Sequence, residues 1–150
     1  MTSGGGRKGY QMKSKVVWTG DMAFTGTAED GFLIPLDARK EVGGHGMGFR
    51  PLQLFAVGLA GCTAMDVISI LKKKRQDVTE FEVSTAIERA AEHPKVFTKI
   101  VLEYRLKGKN LDRDAVERAV ILSETKYCPA QAMLAQVAEI THEIVIEEEK

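Results

Sequence analysis

The stretch LFAVGLAGCTAMDVISIL, residues 54–71, decides how this chain folds. It is apolar along most of its length and too long for a strand. Pro51 precedes it, where a missing N–H is harmless in a first helical turn. The run KKKR at 72–75 follows it, where cations complement exposed carbonyls. The sequence therefore predicts one long helix over 51–75. Its near-continuous apolarity predicts cover on most sides. Asp66 would be costly in lipid, so a core helix is expected rather than a membrane span.

Working outward, KVVWTGDMAFTGTAEDGFLIPLDA (15–38) reads as a β-meander. Its Val-, Trp-, Phe- and Ile-rich runs are broken at Gly20-Asp21, at Glu29-Asp30-Gly31 and after Pro35. The glycine-dense RKEVGGHGMGFRP (39–51) reads as a loop. Beyond the helix, FEVSTAIERA (81–90) and VFTKIVLEYRL (96–106) alternate in part between apolar and polar, as paired strands do. The link AEHPK suits a hairpin. NLDRDAVERAVILSETK (110–126) is an amphipathic helix capped by Asn110 or Asp112, with Leu111, Ala115, Val116, Ala119 and Leu122 on one side. CPAQAMLAQVAE (128–139) is a shorter helix, and THEIVIEEEK ends in a strand. The order βββ-α-ββ-α-α-β segregates strands from helices, which is an α+β arrangement.

Several function classes lose their support here. The 150 residues carry 21 basic and 21 acidic side chains, so no excess positive charge favours nucleic acid. The loop GGHGMG lacks the Lys-Ser/Thr of a phosphate-binding P-loop. His45, His93 and His142 are scattered, and no CxxC or HxxxH spacing supports a metal site. The start MTSGGGRKGYQMKSK has no apolar segment after its basic residues. A flexible head over 1–13, a single domain over 14–150 and a cytoplasmic location are the expectation.

The two cysteines remain. In a reducing compartment they are inert core thiols or a redox or metal pair. Cys128 precedes Pro129, which places it at a helix N-cap. Backbone N–H groups and the helix dipole there favour a thiolate. Cys62 lies mid-helix among Gly58, Ala60, Gly61 and Ala64, an inert setting unless a cation reaches it. Arg39, Lys40 and Arg50 in the preceding loop are the candidate cations. Asp66, one turn after Cys62, needs a partner or a wet cleft.

These residues carry a resemblance. KEVGG (40–44), the Gly-rich loop, RPLQLFAVGLAGC (50–62) and the downstream second cysteine resemble the OsmC/Ohr family: osmotically inducible protein C and the organic hydroperoxide resistance proteins. GCTAMDVISIL, EHPKVFTKI and KYC look most like an OsmC-like subgroup, and the resemblance spans about residues 14–148. It implies an α+β intertwined homodimer whose central helices carry the first cysteine. It implies that Cys62 attacks an organic hydroperoxide and becomes a sulfenic acid, that Cys128 resolves it to a disulfide, and that an external dithiol reduces that disulfide. No metal or bound cofactor is implied, since the thiolate is the nucleophile.

The resemblance also marks a departure. The family's peroxidases carry a glutamate directly after the motif proline, where it holds an activating arginine. This chain has Leu52 there, then Gln53. Arg50 and Arg39 are the nearest candidates for the arginine, and Glu41 for its orienting carboxylate. Leu52, Gln53, Phe55 and Asp66 are the candidate pocket residues. A pocket without the glutamate also suits a weakly catalytic or non-catalytic dimer binding a small apolar or electrophilic ligand.

Overall fold

The computed structural model describes residues 9–150. The sequence expectation for a flexible head falls mostly on residues 1–8, which lie outside that range. The element order is β1 (Ser14–Gly20), β2 (Ala23–Ala28), β3 (Leu33–Leu36), α1 (Pro51–Lys73), β4 (Asp77–Arg89), β5 (Phe97–Lys109), α2 (Arg113–Leu122), α3 (Pro129–Leu134) and β6 (Glu139–Glu148). This is the α+β order βββ-α-ββ-α-α-β expected from the sequence. The chain divides into two compact units, Met1–Leu54 and Phe55–Lys150.

In the first unit, β1, β2 and β3 form an antiparallel meander, with Trp18 opposite Phe24 and Phe24 opposite Leu36. The glycine-dense loop after β3 is ordered by a buried carboxylate. Asp37 accepts N–H groups from Ala38 at 2.7 Å and from His45 and Met47 at 3.1 Å each. The Met47 N–H leads the groups that hold the Asp37 carboxyl below the usual carboxylate range, and burial opposes it. The loop then packs backbone on backbone: a Cβ on Gly44 would lie 2.0 Å from the Ala38 carbonyl oxygen. No side chain fits there. A short 3-10 turn, Lys40–Val42, interrupts what the sequence presented as plain loop.

In the second unit, β5 is the central strand, antiparallel to β4 and parallel to β6. Its alternation buries Phe97, Ile100, Leu102, Tyr104 and Leu106 on one face. The parallel β5–β6 pairing needs a crossover, which α2 and α3 supply. Asp112 caps α2 by accepting the Asp114 N–H at 3.0 Å. Asn110, the other cap candidate, instead takes a left-handed turn at φ 52°. Ala115, Val116, Ala119 and Val120 form the buried face of α2. Helix α3 stops at Leu134, short of the expected 139, because β6 must begin pairing with β5 at Glu139. Both β4 and β5 outrun their apolar stretches, since the ladder from Asp77–Lys109 to Arg89–Phe97 sustains polar ends.

Helix α1 corrects one expectation. Only Leu59, Thr63, Val67 and Leu71 are buried, a single stripe at four-residue spacing. Leu59, Val67 and Leu71 join the core of β5 and α2. Phe55 and Val57 are each 57% exposed and Met65 is 74% exposed. The chain covers one side of its apolar helix and leaves the rest bare. By length and composition alone α1 could cross a membrane, but its buried stripe belongs to the protein's own core.

Candidate functional site: the paired thiols

Two elements bring the cysteines together. Cys62 sits in the middle of α1, half-buried, one residue before the buried Thr63. Cys128 is 3% exposed and forms the N-cap of α3, with Pro129 at the first helical position. Its sulfur accepts the Gln131 N–H at 3.4 Å. Just before it, Ser123–Tyr127 winds as a π-helical turn, so the Cys128 N–H donates to the Ser123 carbonyl five residues back, at 2.8 Å.

The Cys128 thiol is pushed up from 9.0 to about 11. Burial is the largest cause. The N–H groups of Gln131 and Ala130 pull the other way, as the N-cap position predicted, and they lose. At Cys128 the local preference for a thiolate is outweighed by burial. Interactions with the Cys62 side chain raise it further. These interactions require the two thiols to be neighbours. Both cysteines are free, so they stand as a reduced pair.

Around the thiols lies a set of polar side chains that no sequence motif marked. Thr63 Oγ1 is 2.7 Å from the Tyr104 hydroxyl and 2.8 Å from Ser123 Oγ. Gln131 Nε2 donates to Thr63 Oγ1 at 3.1 Å and to the Tyr104 hydroxyl oxygen at 3.4 Å. Ser123 Oγ donates to Asp66 Oδ2 at 2.9 Å. Thr63, Tyr104, Ser123 and Gln131 are all buried. Among the described residues, no buried side-chain nitrogen or oxygen lacks a hydrogen-bond partner. Burial raises the Tyr104 phenol above its ordinary range. One signal did exist in the sequence. Thr63 lies four residues from both Leu59 and Val67, and Tyr104 keeps step with Leu102 and Leu106. Hydroxyls on two apolar faces must find partners.

Arg39, Glu41, Arg50, Leu52 and Gln53 fall in the first compact unit. Arg39 and Glu41 are exposed, and Arg50 is half-buried. Among the described residues, neither Arg39 nor Arg50 forms an ion pair with Glu41. Leu52 is 38% exposed. The Gln53 side chain accepts the Arg50 N–H at 3.0 Å, while the Gln53 N–H donates to the Arg50 carbonyl at 2.9 Å. Gln53 thus supplies one half of a capping box, its side chain reaching back to the Arg50 N–H, while Arg50 has no hydroxyl for the other half. Phe55 opens the exposed face of α1, and Asp66 is turned to Ser123. His142 pairs with Glu124 at 3.3 Å, and His45 with Asp21 at 2.8 Å. Among the described residues, no group of three or more His, Cys, Asp or Glu side chains is placed to hold a metal ion.

Comparison with known proteins agrees with this fold. Residues 44–143 match the family described as OsmC-like protein. The chain is 39% identical over 131 residues to Protein YhfA of Escherichia coli K12, covering 87% of this chain and 95% of that one. The fold is similar to a hypothetical protein from Aquifex aeolicus VF5, with a TM-score of 0.82 and 26% identity over 94% of this chain and 99% of that one. It is also similar to an organic hydroperoxide resistance protein OsmC from Legionella pneumophila, with a TM-score of 0.68 and 18% identity over 93% of this chain and 99% of that one. That identity speaks to fold alone. The thiol pair, the α+β topology and the match over most of its length make this chain a member of the OsmC-like protein family.

Proposed function

We propose that this protein is a cytoplasmic thiol peroxidase that reduces organic hydroperoxides, working as a homodimer. The observation that carries the reading is the adjacency of two free thiols in unequal settings. Cys62 is the more accessible and Cys128 the more buried. The Cys62 thiolate attacks the terminal oxygen of ROOH, the O–O bond breaks, and RO⁻ leaves and takes a proton from solvent as ROH. Cys62 is then a sulfenic acid. The Cys128 sulfur attacks the Cys62 sulfur, its proton and the departing hydroxide leave as water, and a disulfide forms. An external dithiol restores both thiols by exchange. No metal or bound cofactor enters this sequence.

The bare side of α1 supports the dimer. Phe55, Val57 and Met65 form apolar surface of the kind a second copy covers. Arg50 and Arg39 are the candidates for the cation that activates Cys62, with Glu41 as orienting carboxylate; Leu52, Gln53, Phe55 and Asp66 are the pocket candidates. Replacing each arginine by alanine identifies the active one by the loss of peroxide turnover. The uncharged Leu52 and Gln53 favour one rival, a dimer that binds a small apolar or electrophilic ligand without turning it over. Stoichiometric tert-butyl hydroperoxide separates the two. A peroxidase loses the mass of two hydrogens as Cys62 and Cys128 join. An unchanged intact mass would refute the peroxidase reading.

A further inference from the structure

The hydroxyls beside the thiols have only one consistent set of directions. Each carries a single proton. Ser123 spends its proton on Asp66 Oδ2, so it must accept from Thr63. Thr63 has then spent its own proton and must accept from Tyr104, and it also accepts from Gln131 Nε2. Tyr104, now a donor to Thr63, accepts from Gln131 in turn. Every proton points down one path: Gln131 to Tyr104, Tyr104 to Thr63, Thr63 to Ser123, Ser123 to Asp66. The half-buried Asp66 is the terminal acceptor that sets this polarity.

Two members of the path, Gln131 at its start and Ser123 near its end, grip Cys128. Gln131, held through its amide by Thr63 and Tyr104, gives its backbone N–H to the Cys128 sulfur. Ser123, held by Thr63 and Asp66, gives its carbonyl to the Cys128 N–H. The hub of the path, Thr63, directly follows Cys62 on α1.

We propose that Asp66 is a positioning residue for the thiol pair: by orienting the Ser123–Thr63–Tyr104 hydroxyls it locks Gln131 and Ser123, and these hold Cys128 buried beside Cys62. This deepens, and rests on, the reading of the two cysteines as a reacting pair. Without an acceptor at 66 nothing fixes this direction, and the reverse order becomes accessible. Ser123 then donates to Thr63, Thr63 to Tyr104, and the Tyr104 proton loses its acceptor. That proton then faces the Gln131 amide donor, which loosens Gln131 and its hold on Cys128.

The test reads Cys128 directly and needs no peroxide chemistry. In a Cys62→Ser background, the pH profile of Cys128 alkylation by iodoacetamide is measured with and without a change at Asp66. Asp66→Ala is expected to lower the alkylation midpoint by at least one pH unit, which raises the rate about tenfold at pH 8. Asp66→Asn keeps an accepting oxygen and is expected to restore the parent profile to within about twofold. Gln131→Leu, which cuts the same anchor from the other end, is expected to reproduce the Asp66→Ala shift and serves if Asp66→Ala does not fold. The proposal is overturned if Asp66→Ala or Gln131→Leu alkylates like the parent, or if Asp66→Asn behaves like Asp66→Ala. In the wild-type background, Asp66→Ala is further expected to accumulate the dimedone adduct of Cys62, because closure by Cys128 is slowed. If wild-type protein gives no adduct and no disulfide, the peroxidase reading fails while the alkylation profile still decides the role of Asp66.

Discussion

The two cysteines occupy opposite kinds of place, and local sequence describes only part of each setting. Cys128 sits at a helix N-cap, with N–H groups aimed at its sulfur, which is the setting of a stabilised thiolate. Cys62 sits inside a long apolar helix, which is the setting of an inert one. The fold changes the balance at Cys128. Burial of Cys128 outweighs its N–H donors and carries it to about 11, while Cys62 stays half-buried on a helix whose outer side is bare. An N-cap is a short-range effect of one or two hydrogen bonds. Desolvation depends on everything packed around the sulfur, including strand β5 and helix α1.

Substitution at the two positions tests that contrast most severely. Cys62→Ser is expected to abolish hydroperoxide turnover, measured as peroxide consumed per protein with excess dithiol. Cys128→Ser should still consume one equivalent of peroxide and stop there, with a sulfenic acid on Cys62 that dimedone traps. If Cys128→Ser loses the first equivalent and Cys62→Ser keeps it, the assignment of attacking and resolving thiols is inverted.

A second measurement sharpens the contrast without removing either sulfur. A shift from 9.0 to about 11 lowers the Cys128 thiolate fraction at neutral pH about 100-fold. Iodoacetamide labelling of Cys128 at pH 7 should therefore run about 100-fold slower in the folded protein than in the protein unfolded by guanidinium. Equal rates would show that burial does not control this thiol.

Stability responds less. Thr63→Val keeps the shape of the side chain but strands Tyr104, Ser123 and Gln131, and is expected to cost about 1–3 kcal/mol by chemical denaturation. The smallest effect is alkaline. Cys128 holds its proton more tightly folded than unfolded, so its contribution is complete below pH 9 and disappears as pH rises to about 11. Tyr104, raised by burial, acts in the same direction. Unfolding midpoints measured from pH 8 to pH 11 should fall, and Cys128→Ser should flatten part of that fall.

Much of the architecture was legible in the residues. Pro51 and the KKKR run bracketed α1, alternation marked β5, and Asp112 and Pro129 announced the starts of α2 and α3. What escaped was set by tertiary pairing. Asp77–Glu80 reads as polar, yet it extends β4 because β5 lies alongside. The site was legible as a pair of cysteines and illegible as an environment. Ser123 and Gln131 look like ordinary helix-surface residues, and only the crossover from β5 to β6 turns them toward Thr63. The capping role of Gln53 was equally hidden behind the expectation of a pocket.

The π-helical turn at Ser123–Tyr127 carries a last consequence, for chain length. A turn that closes over five residues instead of four contains one residue more than an α-helix would spend. Removing any one residue between Ser123 and Cys128 would let the segment relax to ordinary α winding. Five residues at the π pitch and four at about 100° each sweep nearly the same arc, so the shortened segment would still bring the cysteine N–H to the Ser123 carbonyl. The spacing between Ser123 and Cys128 is thus one residue longer than the pair requires, and a single-codon deletion there is expected to leave both sulfurs side by side.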